Sequence, residues 1–221
     1  MKTEHIKPQD IERRSFEIIS EELDLMQNDG LLPDLTKFSE VELLVIKRCI
    51  HTTADFDYAT TMRFSGGAVQ KFAGLIRGGA TVVSDTNMAL SGINKGELAK
   101  YGCDISCYMA DEAVAKEAKE RELTRAGVSM ERAMELDGPV IFVIGNAPTA
   151  LMTLKDALDR GTYRPAFVIG VPVGFVNVVA AKELIMDSDI PYIVNSGRKG
   201  GSNVAAAIVN AMLYAMRDGK L

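Results

Sequence analysis

The chain is poor in the residues that build imidazole metal sites and disulfide frameworks. Its 221 residues include two histidines, three cysteines and no tryptophan. Any catalytic triad or imidazole metal site must therefore use His5 or His51. An odd number of cysteines does not make a disulfide framework, which fits a reducing compartment. Because no second Cys/His pair accompanies Cys103 and Cys107, we expect buried, reduced thiols on one face of a strand rather than zinc ligands.

The chain also lacks an excess of positive charge and a long apolar run. It has 25 Lys and Arg against 30 Asp and Glu, a formal net charge of -5, which argues against a nucleic-acid binder. The N-terminus has no apolar core of a signal peptide. The most apolar stretch, residues 166–181, is interrupted by Gly and Pro, and a bilayer span takes about 20 apolar residues. We expect a cytoplasmic protein with no membrane or nucleic-acid partner.

Helical and strand patterns alternate along the chain. An amphipathic helix is predicted after Pro8, and a second begins at Ser39 with a capping box and ends near Thr53. Short apolar runs then predict five strands, over residues 81–84, 104–108, 140–145, 166–171 and 192–195. Further helices are predicted over residues 68–77, 95–100, 111–125, 149–160, 178–186 and 202–216.

The predicted strands are apolar on both faces. Runs such as VIFVI and AFVIGV are typical of a parallel sheet that is covered by helices on each side. They predict a three-layer, doubly wound sheet of five parallel strands, either flavodoxin-like or Rossmann-like. The length suits a single domain, with residues 1–60 as a helical N-terminal region beside an α/β core of residues 61–221.

The segments that follow the predicted strands are rich in small and polar residues. Ligands of open parallel sheets bind at the carboxyl ends of the strands, so we expect a pocket there. In one of these segments, SGRKGGSN, backbone N–H groups, Arg198 and Lys199 precede a helix and favour an anion. Turns and helix caps without a ligand are the alternative for each segment. The Walker A and Gly-x-Gly-x-x-Gly spacings are absent, which argues against ATP hydrolysis and against NAD or FAD.

His51 is the candidate acid–base group. Arg48 and Asp55 lie three residues before it and four after it, a spacing that places all three on one helical face. Imidazole exchanges a proton near neutral pH, and the alternative role is a helix-end histidine bonded to a backbone carbonyl. His5 lies in a polar segment and is predicted to be solvated. Arg77, at a predicted helix end, either contacts a ligand or interacts with the helix C-terminus.

Six segments together resemble a known family. ERRSF, KRCIHTTADFDYA, VVSDTNM, GNAPTAL, GVPVGFVNVVAAKE and SGRKGGSNVAAA occur in the order found in precorrin-8X methylmutases, including the cobalt-precorrin-8 methylmutases. The resemblance extends from about Ile11 to Met216. It implies a flavodoxin-like, homodimeric isomerase that moves a methyl group from C-11 to C-12 of a tetrapyrrole during cobalamin synthesis. The rearrangement is intramolecular, so neither S-adenosylmethionine nor another cofactor is expected.

The resemblance also implies roles for particular residues. His51 matches the family's proton donor and acceptor, and Ser15 and Arg48 match substrate-contacting residues. Further substrate contacts are expected from Thr52, Arg77, Asp85, Asn146, Arg198, Gly201 and Ser202. The Thr-Thr-Ala-Asp-Phe segment after His51 resembles the cobalt-dependent branch, so a substrate that carries its own cobalt is favoured. The alternatives are a tetrapyrrole carrier without catalysis and a nucleotide- or S-adenosylmethionine-using α/β enzyme.

Overall fold

In the computed structural model, which describes residues 6–221, a six-stranded mixed sheet carries helices on both faces. The strands are β1 Met62–Phe64, β2 Thr81–Ser84, β3 Ile105–Ser106, β4 Val140–Ile144, β5 Phe167–Gly170 and β6 Tyr192–Asn195. Their order across the sheet is β1-β6-β5-β4-β2-β3. The edge strand β1 runs antiparallel to β6, and all the other neighbours are parallel.

Eleven α-helices lie within residues 6–221, together with short 3-10 helices at Pro8–Asp10 and Leu35–Lys37. They are α1 Ile11–Asn28, α2 Glu40–Thr53, α3 Tyr58–Thr61, α4 Ala68–Arg77, α5 Asn87–Gly92, α6 Lys95–Ala99, α7 Glu112–Glu120, α8 Arg125–Met134, α9 Pro148–Asp159, α10 Val178–Met186 and α11 Ser202–Arg217. In the described part of the chain, no helix has both the length and the apolar character needed to cross a membrane.

The sheet separates two apolar layers, which explains why its central strands are apolar at every position. All five residues of β4 are fully buried. Ile141 and Val143 pack with residues of α2, α4 and α11, whereas Phe142 and Ile144 pack with residues of α8, α9 and α10. Successive side chains of a strand point to opposite faces. Because helices cover both faces of this strand, its sequence does not alternate between apolar and polar residues.

Helix α2 lies over α11 and is built as predicted. The hydroxyl of Ser39 accepts a hydrogen bond from the Glu42 N–H, and the Glu42 carboxylate accepts one from the Ser39 N–H, so the capping box is present. The buried face of α2 includes Val45, Ile46 and Cys49. The opposite face of α2 carries polar residues at intervals of three or four positions, which places them on one side of the helix. These residues form one wall of the site described below.

Two strand predictions need correction. The sheet has six strands rather than five, since the three-residue β1 pairs only with β6 and carries too short a pattern to be recognised. The strand predicted over residues 104–108 contains only Ile105–Ser106. It therefore includes neither Cys103 nor Cys107, and the two thiols do not share a strand face. The three cysteines are free thiols, and the Cys103 sulfhydryl donates to the carbonyl of Ile76 at 3.2 Å.

The helix predicted over residues 111–125 is wrong in extent. The chain instead leaves α7 at Glu120, and Glu122 takes a left-handed conformation with φ of 55°. A second helix, α8, then starts after Thr124, whose hydroxyl accepts a hydrogen bond from the Gly127 N–H. The charged surface of α7 is exposed as expected. Only two residues of the helix are buried, and they lie one turn apart.

Candidate active site

A large cavity lies between α1, α2 and α11 and has a volume of about 1160 Å³. Helix α2 provides its central wall with Lys47, Arg48, His51 and Thr52. These residues recur every three or four positions and so share one face of the helix. Asn203, Asn210 and Tyr214 of α11 line the cavity at the same periodicity, and Met88 of α5 also lines it. The cavity therefore lies between helices, beside the carboxyl ends of β2 and β6, which α5 and α11 follow in the chain.

His51 occupies the last turn of α2, and its side chain is exposed to the cavity. Its ring stacks on Phe16 of α1, with centroids 5.3 Å apart and planes 25° from parallel. Within residues 6–221 the imidazole makes no hydrogen bond, so it is not the carbonyl-bonded helix-end histidine of the alternative interpretation. Both ring nitrogens are available to a bound molecule.

Arg48 lies one turn before His51 and is held by two kinds of contact. Its guanidinium pairs with the carboxylate of Glu12. It also lies over the rings of Phe16 and Tyr214, 4.6 and 5.6 Å from their centroids. The hydrogen bond from Arg48 lowers the pKa of Glu12, against the opposing effect of partial burial. These contacts orient the guanidinium toward the cavity that His51 borders.

The predicted grouping of Asp55 with His51 and Arg48 is wrong. Helix α2 ends at Thr53, and Ala54 takes a left-handed conformation with φ of 53° that turns the chain away. The Asp55 carboxylate instead accepts the N–H of Asp57 at 3.0 Å and pairs with the Lys199 ammonium at 2.5 Å. Asp55 thus joins the end of α2 to the loop before α11, and helical spacing does not apply beyond the turn.

Two further predicted substrate contacts lie outside the cavity. Ser15 is half-buried on α1, and its hydroxyl donates to the carbonyl of Ile11 at 2.9 Å. Arg77 is exposed in the last turn of α4. That helix end leads into the amino end of β2, the edge of the sheet opposite to the carboxyl ends of the parallel strands. The position of Arg77 fits a favourable interaction with the helix C-terminus.

Asp85, a predicted substrate contact, is completely buried at the end of β2. Its carboxylate accepts the N–H groups of Gly145, Asn146 and Ala147 at 2.8, 2.8 and 2.7 Å. Burial raises the pKa of Asp85, while these donors act in the opposite direction. The residue fixes the loop between β4 and α9 and leaves no carboxylate oxygen without a donor. The Asn146 side chain is exposed at this edge and does not line the cavity.

The loop of residues 196–201 borders the sheet edge and leads into α11. Arg198 is exposed and lies over the ring of Phe175, 5.3 Å from its centroid. Gly201 is buried, with its N–H donating to the Val171 carbonyl at 2.9 Å. The Ser202 hydroxyl shares a 2.8 Å hydrogen bond with that of Thr86. The cavity begins one residue later, at Asn203.

Lys182 of α10 holds the loop of residues 196–201 in place, and the sequence analysis did not predict this role. It is fully buried, and its ammonium donates to the carbonyls of Gly197 and Lys199, both at 2.8 Å. Burial lowers its pKa to about 8. The signal in the sequence was its spacing, because Val178, Lys182 and Ile185 fall on the one buried face of α10. A lysine on such a face needs internal acceptors.

The described residues show no group of three or more His, Cys, Asp or Glu side chains arranged to hold a metal ion. The family model described as precorrin-8X methylmutase matches residues 10–215, nearly the whole chain. The chain belongs to the precorrin-8X methylmutase family. Membership of this family makes it a methylmutase and hence an isomerase. The cavity with His51 is accordingly the candidate active site of a methylmutase.

Individual members of the family resemble the chain over almost their full length. The cobalt-precorrin-8 methylmutase of Salmonella typhimurium is 42% identical, with 96% of this chain and 97% of that protein covered. The precorrin-8X methylmutase of Pseudomonas aeruginosa is 36% identical, with 92% and 94% covered. A solved structure of the precorrin-8X methylmutase from Thermus thermophilus superposes with a TM-score of 0.84 at 39% identity, with 96% and 98% covered.

Proposed function

We propose that the chain moves a methyl group from C-11 to C-12 of precorrin-8X or its cobalt form, with His51 as the proton donor and acceptor. The observation that carries this proposal is the His51 imidazole, which makes no hydrogen bond to any of residues 6–221 and borders the large cavity between α1, α2 and α11. In that role, the imidazolium protonates the conjugated macrocycle and makes its framework electron-poor. The imidazole then removes a proton once the methyl group has shifted. Positioned proton transfer of this kind contributes typically about 10²–10⁴-fold in rate.

The cavity suits a large acidic ligand. Its volume of about 1160 Å³ exceeds the roughly 300–1,000 Å³ of pockets for drug-sized ligands, as a tetrapyrrole with acetate and propionate arms requires. Arg48 offers a planar donor pair that matches a carboxylate, and Thr52 lies beside it. We extend the proposed contacts to Ser15, Arg198 and the Gly201–Ser202 helix start, which an arm reaching beyond the cavity would meet.

We favour the cobalt-containing substrate, because the Salmonella typhimurium relative with the higher identity is named for it. The cobalt would arrive inside the macrocycle. A shift within one molecule needs no methyl donor, so the proposed reaction requires no further cofactor. A carrier without catalysis is the competing function, and turnover distinguishes the two.

Four structural proposals accompany this function. We propose a flavodoxin-like sheet, because the order of the five parallel strands, β3-β2-β4-β5-β6, agrees with the 2-1-3-4-5 winding of that fold, with β1 added at the edge. We propose a single domain, because α2 of the N-terminal region packs in the same apolar layer as α11. We also propose a homodimer and a cytoplasmic location, both on the basis of the family resemblance.

The test replaces His51 by asparagine, which keeps a polar planar side chain but cannot act as an acid or base near neutral pH. The wild type should change the visible spectrum of cobalt-precorrin-8 on incubation. His51→Asn should lower the turnover rate by at least about 10²-fold and still bind the product cobyrinate. The matched control is His5→Asn, which changes the other histidine, a residue outside those described. Turnover by His51→Asn at the wild-type rate would refute the role of His51. Absence of turnover by the wild type would reject the proposed reaction and favour the carrier function instead.

A further inference from the structure

The cavity contains one cation that differs from the others. Five basic residues line it: Arg13, Lys47, Arg48, Arg217 and Lys220. Four of them pair with carboxylates, Arg13 with Asp10 and Glu17, Arg48 with Glu12, Arg217 with Asp218, and Lys220 with Glu40. Lys47 has no carboxylate partner within residues 6–221. Its charge is therefore uncompensated where an acidic substrate is expected.

Lys47 is nevertheless held in place. It is half-buried, and its ammonium donates to the Ser20 hydroxyl at 2.9 Å. That hydroxyl donates in turn to the carbonyl of Phe16 at 2.7 Å, which turns its lone pairs toward Lys47. An ammonium has three N–H donors, and this contact uses one. Two donors remain for a ligand, and both Ser20 and Lys47 line the cavity.

Lys47 lies next to the proposed acid–base group, His51, on the surface of α2. It precedes His51 by four residues on α2, and side chains at that spacing are neighbours on a helix, about 5–6 Å apart at Cβ. A partly desolvated ammonium without a counter-ion is unfavourable. A carboxylate would compensate the charge and form charge-assisted hydrogen bonds with the two remaining donors.

We propose that Lys47, positioned by Ser20, is a binding site for one carboxylate arm of the substrate. The inference rests on the proposed function and deepens it, because it assigns a substrate contact beyond Arg48. The arm on Lys47 lies on the same face of α2 as the His51 ring. It therefore fixes which side of the macrocycle faces the acid–base group, while Arg48 receives a second acidic group.

The experiment compares Lys47→Met, Lys47→Arg and the control Lys71→Met, a lysine exposed on α4 away from the cavity. The affinity for cobyrinate is measured by absorbance titration, and KM and kcat for cobalt-precorrin-8 by the spectral assay. Lys47→Met should weaken binding and raise KM by roughly tenfold to a hundredfold, as expected for a lost charged hydrogen bond, with kcat changed less. Lys47→Arg should restore most of the affinity, and Lys71→Met should match the wild type.

Thermal unfolding of Lys47→Met separates binding from folding. Its melting temperature should equal or exceed that of the wild type, because the variant loses an uncompensated cation. Unchanged affinity and KM in Lys47→Met, an equal loss in Lys71→Met, or no binding of cobyrinate by the wild type would each overturn the inference. A wild type that binds cobyrinate through Lys47 but does not turn over would preserve the binding site and refute the proposed reaction.

Discussion

Replacing Gly200 by alanine should disrupt the contact between the loop of residues 196–201 and the segment after β5. A Cβ at Gly200 would lie 2.1 Å from the carbonyl oxygen of Val171, a backbone atom that no side-chain rotation moves aside. Real Cβ atoms do not approach other heavy atoms within 3.0 Å, so the two backbones would have to separate by about 0.9 Å.

That separation weakens the hydrogen bonds that join the two segments. They are the Gly201 N–H to the Val171 carbonyl at 2.9 Å and the Gly174 N–H to the Arg198 carbonyl at 3.1 Å. Each contributes a net of about 0.5–1.5 kcal/mol, and overpacking a close contact costs about 1–3 kcal/mol. The free energy of unfolding of Gly200→Ala should fall by roughly 2–6 kcal/mol. Urea unfolding followed by circular dichroism measures it, since the chain has no tryptophan for fluorescence.

The matched control is Gly197→Ala in the same loop. Gly200 and Gly197 both have a positive φ, 157° and 78°, but no heavy atom lies within 4 Å of a Cβ built at Gly197. Only the left-handed backbone opposes alanine there, at a cost of about 1–2 kcal/mol. A loss in Gly200→Ala no larger than the loss in Gly197→Ala would refute the steric reasoning.

Two further predictions concern buried charges. Burial lowers the pKa of Lys182 from 10.5 to about 8. Between these two pH values the unfolded chain holds a proton on Lys182 that the folded protein has lost. A rise in pH over this range therefore increases the free energy of unfolding of the wild type. The difference in urea midpoint between wild type and Lys182→Met should therefore shift in favour of the wild type from about pH 7.5 to about pH 9.5, and a constant difference would contradict the burial effect. Asp85→Ala leaves three successive N–H groups without their acceptor and should lower the free energy of unfolding by about 3–5 kcal/mol. The exposed Asp24→Ala should be nearly neutral, and equal losses in the two variants would disprove the role of Asp85.

Local patterns predicted the elements more reliably than their assembly. The capping box at Ser39 and the fully apolar run of β4 depend on residues close in sequence, and both are confirmed. The strand β1 is three residues long and exists because β6 offers its edge. The break between α7 and α8 at Glu122 was also missed, since neither Gly nor Pro marks it.

The candidate site divides in the same way. Arg48 and His51 were predicted together, because helical periodicity places them on one face regardless of the rest of the fold, whereas Thr52 was expected only from the family resemblance. Asp85 was expected at a ligand, but its partners lie about sixty residues away in the chain and occupy its carboxylate completely. The carboxyl ends of the strands were predicted to form the pocket, yet the loops there bond to one another, and the cavity opens beside them between helices.

The sequence by itself determined the family resemblance, the helix that carries His51, and the scarcity of histidine that singles it out. Backbone geometry and side-chain periodicity act over a few residues, so these features are readable in one dimension. Only the tertiary structure decided which charges are compensated. Lys47 and Lys182 are both lysines on helices, but one meets a hydroxyl at the cavity wall and the other meets two buried carbonyls. Those partners come from distant segments, and packing alone brings them together.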